Sequence, residues 1–167
     1  MTLTLVLGGA RSGKSRHAEQ LIEACPGPWT YIATAQAFDD EMVARIALHR
    51  ARRSGLWTTI DAPIELPQAI GEAPQGCAIL VDCLTLWVSN LMLSDADMPA
   101  ARNDLIGACR AARSPLVLVS GEVGLGIVPD NALARSFRDE LGALNQALAQ
   151  EADHVVLTVA GLPLTVK

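Results

Sequence analysis

The first two dozen residues leave few folds open. An aliphatic run, 2–7 (TLTLVL), empties into Gly8-Gly9-Ala10-Arg11-Ser12-Gly13-Lys14-Ser15, and helix-forming residues follow over 16–24. A short, fully apolar run reads as a strand covered on both faces. G-x-x-x-x-G-K-S between a strand and a helix is the pattern of a phosphate-binding loop. Glycines at 8, 9 and 13 let the backbone curl so that successive N–H groups converge. The helix that follows adds its free N–H groups and the positive end of its dipole. In such a loop Lys14 reaches the β- and γ-phosphates of a nucleoside triphosphate. The Ser15 hydroxyl is placed for Mg²⁺, a hard cation that prefers oxygen ligands. A glycine-rich turn that binds nothing has no need of Lys-Ser after its last glycine.

Apolar, β-branched runs recur at 30–34 (TYIAT), 78–83 (AILVDC), 116–120 (LVLVS) and 154–160 (HVVLTVA). Helix-like stretches lie near 16–24, 39–52, 84–93, 100–112 and 131–150. Strand–helix alternation predicts a parallel sheet with right-handed crossovers. The expected class is α/β: a RecA-like P-loop NTPase with a mostly parallel sheet flanked by helices, and 1–167 as a single nucleotide-binding domain. The residues 164–167 (LTVK), after Gly161-Leu162-Pro163, are expected to return as a short antiparallel edge strand. Pro63, Pro67 and Pro74 punctuate 61–76, which reads as a surface connection with one short helix. Ligands of such sheets sit at the carboxyl ends of the strands. The first loop, the end of 30–34, Asp82 and Glu122 all fall there.

Composition narrows the partners. Half of the 167 residues are hydrophobic but only 4% are aromatic, so the core is aliphatic. A net charge of −5 gives no footprint for nucleic acid or an anionic membrane. No apolar run is long enough to span a bilayer. A core strand leading straight into the phosphate loop is not a cleavable signal. Cys25, Cys77, Cys83 and Cys109 form no C-x-x-C pair and read as small buried hydrophobes in a reducing cytoplasm.

Two further positions invite chemistry. Asp82 ends four aliphatics, as a carboxylate that orients Mg²⁺ directly or through water does; the alternative is an Asp capping the next helix. Paired with Ser15, the metal role is favoured. Residues 39–53 begin acidic and end basic, and Arg45, His49, Arg52 and Arg53 share a helical face. Cations around an imidazole favour its neutral form, which is a nucleophile toward phosphorus, and they also hold phosphates. On spacing alone, a solvated basic helix end with a bystander histidine is the simpler reading. His17 reads as surface or packing, and His154 as the start of a core strand. Neither has metal-ligand spacing.

The segments GGARSGKSRHAE (8–19), YIATAQAFDDEMVARIALHRARR (31–53), Trp57, ILVDCLTLWVSNL (79–91) and GEVGLGIVPDNALARSFRDELGALNQALAQEAD (121–153) together resemble one family. It is the bifunctional adenosylcobinamide kinase / adenosylcobinamide-phosphate guanylyltransferase family of cobalamin biosynthesis. The resemblance runs in order over nearly the whole chain, and its second and last segments are far more specific than the loop. It implies phosphorylation of the aminopropanol hydroxyl of adenosylcobinamide by ATP or GTP. GMP transfer from GTP to adenosylcobinamide phosphate then gives adenosylcobinamide-GDP and pyrophosphate. It implies that GMP is carried on His49. Gly8 to Ser15, Ala33, Thr34, Ala35, Arg50, Ala51, Arg52, Arg53, Asp61 and Asp82 would contact nucleotide, with Lys14 catalytic and Ser15 and Asp82 on Mg²⁺. The family is typically a homotrimer with sites near subunit contacts.

The chain departs from the family pattern at three places. Asp61 stands where a glutamate is usual, Ser54 where a proline is common, and 91–104 is short. The motif E-V-G-L-G-I-V-P at 122–129 is too short for a dinucleotide fingerprint. It reads either as a tight loop or as part of a site, with Glu122 facing Mg²⁺ or substrate. Competing readings are a simple small-molecule kinase with His49 inert, a GTPase switch, or a RecA-like nucleic-acid module. The switch lacks an N-K-x-D motif. The acidic charge and scarce aromatics speak against the nucleic-acid module.

Overall fold

The computed structural model describes residues 2–36 and 55–167. In chain order the elements are β1 (Leu3–Gly8), α1 (Lys14–Glu23), β2 (Trp29–Ala33), β3 (Trp57–Asp61), α2 (Leu66–Glu72) and β4 (Ala78–Asp82). Then come α3 (Leu84–Leu93), α4 (Met98–Ala111), β5 (Leu116–Gly121), α5 (Ala132–Glu151), β6 (His154–Val159) and β7 (Leu162–Thr165). The helix expected over 39–52 lies outside the described residues.

The strands form one seven-stranded sheet in the order β3-β2-β4-β5-β1-β6-β7. Every pairing is parallel except β6 with β7. The strands are apolar at successive positions because both faces are covered. Val6, Tyr31, Leu80 and Val119 pack toward Ala18 and Ile22 of α1. Their neighbours Leu5, Ile32, Val81 and Leu118 pack toward Leu84, Trp87, Leu105, Leu141 and Leu148 on the other face.

The expected antiparallel edge strand is present, two residues earlier than 164–167. The short helix expected within 61–76 is α2. One strand escapes the sequence reading. β3 (WTTID) is half polar and mostly exposed, as an edge strand can be. Aromatic packing fixes it to β2: Trp57 lies 5.3 Å from Trp29 and meets Tyr31 edge-on at 6.2 Å.

Two buried asparagines set where the helices stand relative to the sheet. Asn90 Nδ2 donates to Thr34 O at 2.8 Å and Pro63 O at 3.0 Å, just beyond the ends of β2 and β3. The last turn of α3 is thus held at the carboxyl edge of the sheet. Asn145 Nδ2 donates to Gly121 O, the last carbonyl of β5, at 3.1 Å. Of the thirteen residues of α5 before Asn145, Leu141 and Leu144 are buried in the core and Phe137 packs against it.

Asn90→Leu leaves two buried carbonyls without this donor. The unfolding free energy is expected to fall by about 2–4 kcal/mol, with the urea m-value unchanged, in equilibrium denaturation.

Candidate functional site: the carboxyl edge of the sheet

The register of the sheet brings the strand-terminal residues into one row. Ala33 of β2 pairs with Asp61 of β3 on one side and with Asp82 of β4 on the other. Next come β5 and then β1, where Gly121 pairs with Gly8. Adjacent strands lie about 4.8 Å apart, so Asp61 sits two strands, about 10 Å, from Asp82. Asp82 is level with Val119 and so with Val6, which puts Gly8 two strands away and two residues further along. These residues, spread along the chain from Gly8 to Asp82, come together only through this strand order.

The loop after β1 is held down from beneath. Ser12 Oγ and Thr158 Oγ1 share a buried hydrogen bond of 2.9 Å, and Thr158 Oγ1 also donates to Leu7 O at 3.0 Å. Gly161 N donates to Ser12 O at 2.8 Å. These contacts draw the loop so close to β6 that a Cβ on Gly8 would collide with the Ser12 and Thr158 hydroxyls. Gly13, at φ 94°, turns the chain into α1, and its Cβ position lies 3.1 Å from Gly161 Cα. Arg11 also takes a left-handed conformation, φ 55°, with its side chain exposed. Gly9 differs from Gly8: an added Cβ would meet nothing within 4 Å. Lys14 Nζ folds back to Gly9 O at 3.1 Å, so its ammonium spans the loop. His17 N donates to Gly13 O at 3.0 Å, beginning the helix directly behind Lys14 and Ser15.

Asp82 does not cap α3. The capping position is Cys83, with no side-chain cap. The Asp82 carboxylate is half-buried and accepts from Tyr31 Oη at 3.2 Å. Thr34 is fully buried, and its hydroxyl is committed to the protein. It donates to Cys83 O at 2.7 Å and accepts from Cys83 N at 2.9 Å, bracing the turn beside Asp82. The Thr34 hydroxyl is therefore not available to a ligand, and Ala33 packs against the core beside α1. Asp61 is exposed at the end of β3. Glu122 continues β5 between Asp82 and the loop. Its N–H donates to Gly8 O at 3.0 Å, and its Oε1 accepts from Gly124 N at 2.6 Å. His154 is exposed at the amino-end of β6, away from this edge. His49, Arg50, Ala51, Arg52 and Arg53 lie outside the described residues.

Burial, then the charge of Asp82, pushes the Cys83 thiol up to about 11, while Leu86 N–H, Thr85 and Lys14 pull it down. Cys83 is therefore a neutral thiol near neutral pH and no nucleophile. Among the described residues no cluster of three or more His, Cys, Asp or Glu could hold a metal by itself. The oxygen donors Ser15 and Asp82 suit a cation that completes its shell with water and substrate phosphate, as Mg²⁺ does.

Sequence reasoning missed Thr158, Tyr31 and the two asparagines. Each interrupts an apolar run or an apolar helical face, which is the signal that could have marked it.

Residues 4–166 match the family described as cobinamide kinase / cobinamide phosphate guanyltransferase. The chain is 48% identical over 166 residues to the bifunctional adenosylcobalamin biosynthesis protein CobP of Pseudomonas aeruginosa, covering 98% of this chain and 96% of that protein. It is 44% identical over 181 residues to the bifunctional adenosylcobalamin biosynthesis protein CobU of Salmonella typhimurium, covering 99% of each. Among solved structures it is similar to the ATPase EscN of the enteropathogenic E. coli type III secretion system. The TM-score there is 0.54 at 11% identity, over 95% of this chain and 43% of that one. A second type III secretion ATPase gives a TM-score of 0.51 at 11% identity, over 98% of this chain and 56% of that one. At such identity the likeness is one of fold, and this chain spans about half the length of those ATPases.

Gly8→Ala is expected to cost about 1–3 kcal/mol in urea unfolding, because the Ser12–Thr158 contact must open. Gly9→Ala should leave stability within about 0.5 kcal/mol of the parent. The raised Cys83 pKa gives a stability contribution complete below its ordinary value of 9.0 and lost as pH climbs toward about 11. Unfolding free energy should therefore decline across that window, and Cys83→Ala should flatten the decline.

Proposed function

The chain belongs to the cobinamide kinase / cobinamide phosphate guanyltransferase family, and on that premise we propose that it catalyses two successive reactions on adenosylcobinamide. In the first, the aminopropanol hydroxyl attacks the γ-phosphorus of ATP or GTP. A new O–P bond forms, the bond to the β-phosphate oxygen breaks, and the hydroxyl proton passes to a base or solvent. In the second, an imidazole nitrogen of His49 attacks the α-phosphorus of GTP and pyrophosphate leaves. The corrinoid phosphate then displaces the histidine, giving adenosylcobinamide-GDP.

The observation that carries this reading is the row Asp61–Ala33–Asp82 brought by the sheet register beside a loop whose Lys14 ammonium spans its mouth. Phosphoryl transfer asks for positioning and cationic stabilisation more than for covalent participation by the protein. The loop N–H groups and the start of α1 hold phosphate oxygens, and Lys14 meets the charge on the transferred group. Ser15 and Asp82 would hold Mg²⁺, which would offset the charge on the phosphates. Tyr31 keeps the Asp82 carboxylate oriented. Carrying GMP on His49 splits the second displacement into two steps, with Arg50, Arg52 and Arg53 supplying phosphate contacts.

The proposal includes a homotrimer in the cytoplasm. Supporting the assembly, every residue of β7 is exposed at the edge of the sheet, with Leu162 at 72% and Leu164 at 59%. An apolar edge strand of this kind is a ready contact for another chain. Consistent with the compartment, all four cysteines are free thiols. No helix among the described residues is long and apolar enough to cross a membrane.

Incubation with GTP labelled at the α-phosphate should leave acid-labile, alkali-stable label on the protein. His49→Ala should abolish it, and label persisting in that variant would refute the histidine assignment. Phosphorylation without any covalent label in the parent would leave a kinase alone. Lys14→Ala is expected to lower adenosylcobinamide phosphorylation by about 100-fold or more, read by product formation from γ-labelled ATP and GTP.

A further inference from the structure

The segment between β5 and α5 is an ordered loop that turns its apolar side chains outward. Leu125 is 85% exposed, Ile127 97% and Val128 61%. At its base, Glu122 N–H bonds to Gly8 O and Glu122 Oε1 accepts from Gly124 N. At its far end, Arg135 Nη1 donates to Pro129 O at 2.9 Å and Asp130 O at 2.8 Å, and Asn131 caps α5 through Ala134 N. Gly124 shares a surface hollow with Arg138 and Gly142. The loop thus runs beside the first half of α5, from near Gly142 toward Asn131. It is held at both ends, so its outward leucine and isoleucine are not a failure to collapse. Exposed apolar clusters on a pinned scaffold mark binding surfaces.

We propose that this surface receives the corrin macrocycle of the substrate, and that Leu125, Ile127 and Val128 are its specificity contacts. The inference rests on the kinase reading above. The occupant follows from position and chemistry. The surface begins one hydrogen bond from the first glycine of the phosphate loop, so a ligand lying on it is continuous with the reacting phosphates. A nucleotide needs no apolar surface outside its base pocket, whereas a corrin ring carries methyl groups on its faces and amide arms at its rim. Side chains of Leu125, Ile127 and Val128 match the methyl groups. The exposed Gly126 offers backbone N–H and C=O groups to the amides, and Gly124 its C=O. The β7 edge, at the far side of the sheet beyond β6, is a separate surface.

The test compares the full-length parent with Leu125→Ser/Ile127→Ser and, separately, Ile127→Asp. Both alter side chains that make little contact within the chain, so folding is expected to be retained. Steady-state phosphorylation of adenosylcobinamide should show its KM raised about tenfold or more in both variants, the range over which small changes in apolar contact discriminate substrates. The KM for the nucleotide and the covalent GMP label should stay at parental levels. With free 1-amino-2-propanol as acceptor, which lacks the ring, parent and variants should be indistinguishable. An unchanged corrinoid KM would overturn the proposal. So would a change of oligomeric state in sedimentation equilibrium, which would assign the surface to a second copy of the chain. Failure of the parent itself to phosphorylate adenosylcobinamide would instead overturn the kinase reading, and this inference with it.

Discussion

The hydrogen bond between Ser12 and Thr158 is the constraint on which the rest of the carboxyl edge depends. It joins the phosphate loop to a strand 146 residues away, in a place where neither hydroxyl meets water. Leaving one of them unpaired there would cost more than the bond itself contributes. The pair therefore behaves as a unit, and it brings the chain so near to β6 that residue 8 can carry no side chain. Gly8 is thus required by the protein beneath the loop. Gly9 has open space around it, so nothing in the protein beneath the loop demands a glycine there. Two adjacent glycines of one motif answer to different constraints.

Strand order then decides which groups the loop can act with. β5 lies between β4 and β1, so the Asp82 carboxylate stands one strand further from Gly8 than a directly neighbouring strand would place it. Glu122 occupies the gap. Its backbone is tied to Gly8 and its carboxylate to its own loop, so it positions the 122–131 segment against the phosphate cradle. On the other side, Thr34 spends its hydroxyl on both polar groups of Cys83. Fully satisfied buried hydrogen bonds of this kind rigidify the turn that presents Asp82.

Much of this was legible in the sequence. The apolar runs that became β1, β2, β4, β5 and β6 are buried on both faces, and that burial produces the pattern by which they were read. The phosphate loop was legible for a related reason: backbone curvature and close approach leave glycine at fixed spacing. What the sequence hid follows equally from physics. β3 carries two exposed threonines and owes its place to Trp57 meeting Trp29 and Tyr31, a contact between strands that no local pattern announces. The neighbour relations of Ala33 with Asp61 and Asp82 depend on strand order, which apolar runs alone do not specify. Asp82 stood between two readings, metal ligand and helix cap, because both place an acid at the end of a strand. The structure removes the cap, since α3 starts after Cys83 without a side-chain acceptor.

The asparagines carry the larger lesson. Asn90 and Asn145 sit on apolar helical faces, where a sequence reading sees interruptions of a hydrophobic stripe. Each instead fixes a helix at the height of the strand ends. An apolar side chain at either position would pack but would not choose a height, because hydrophobic contact is non-directional. A buried amide must find its carbonyl, and the carbonyls available are those left over where strands stop. The height of α5 against the end of β5, and with it that of the apolar loop beside it, is therefore set by one hydrogen bond to Gly121. The substrate platform proposed for that loop is in this sense built by a polar residue in the core.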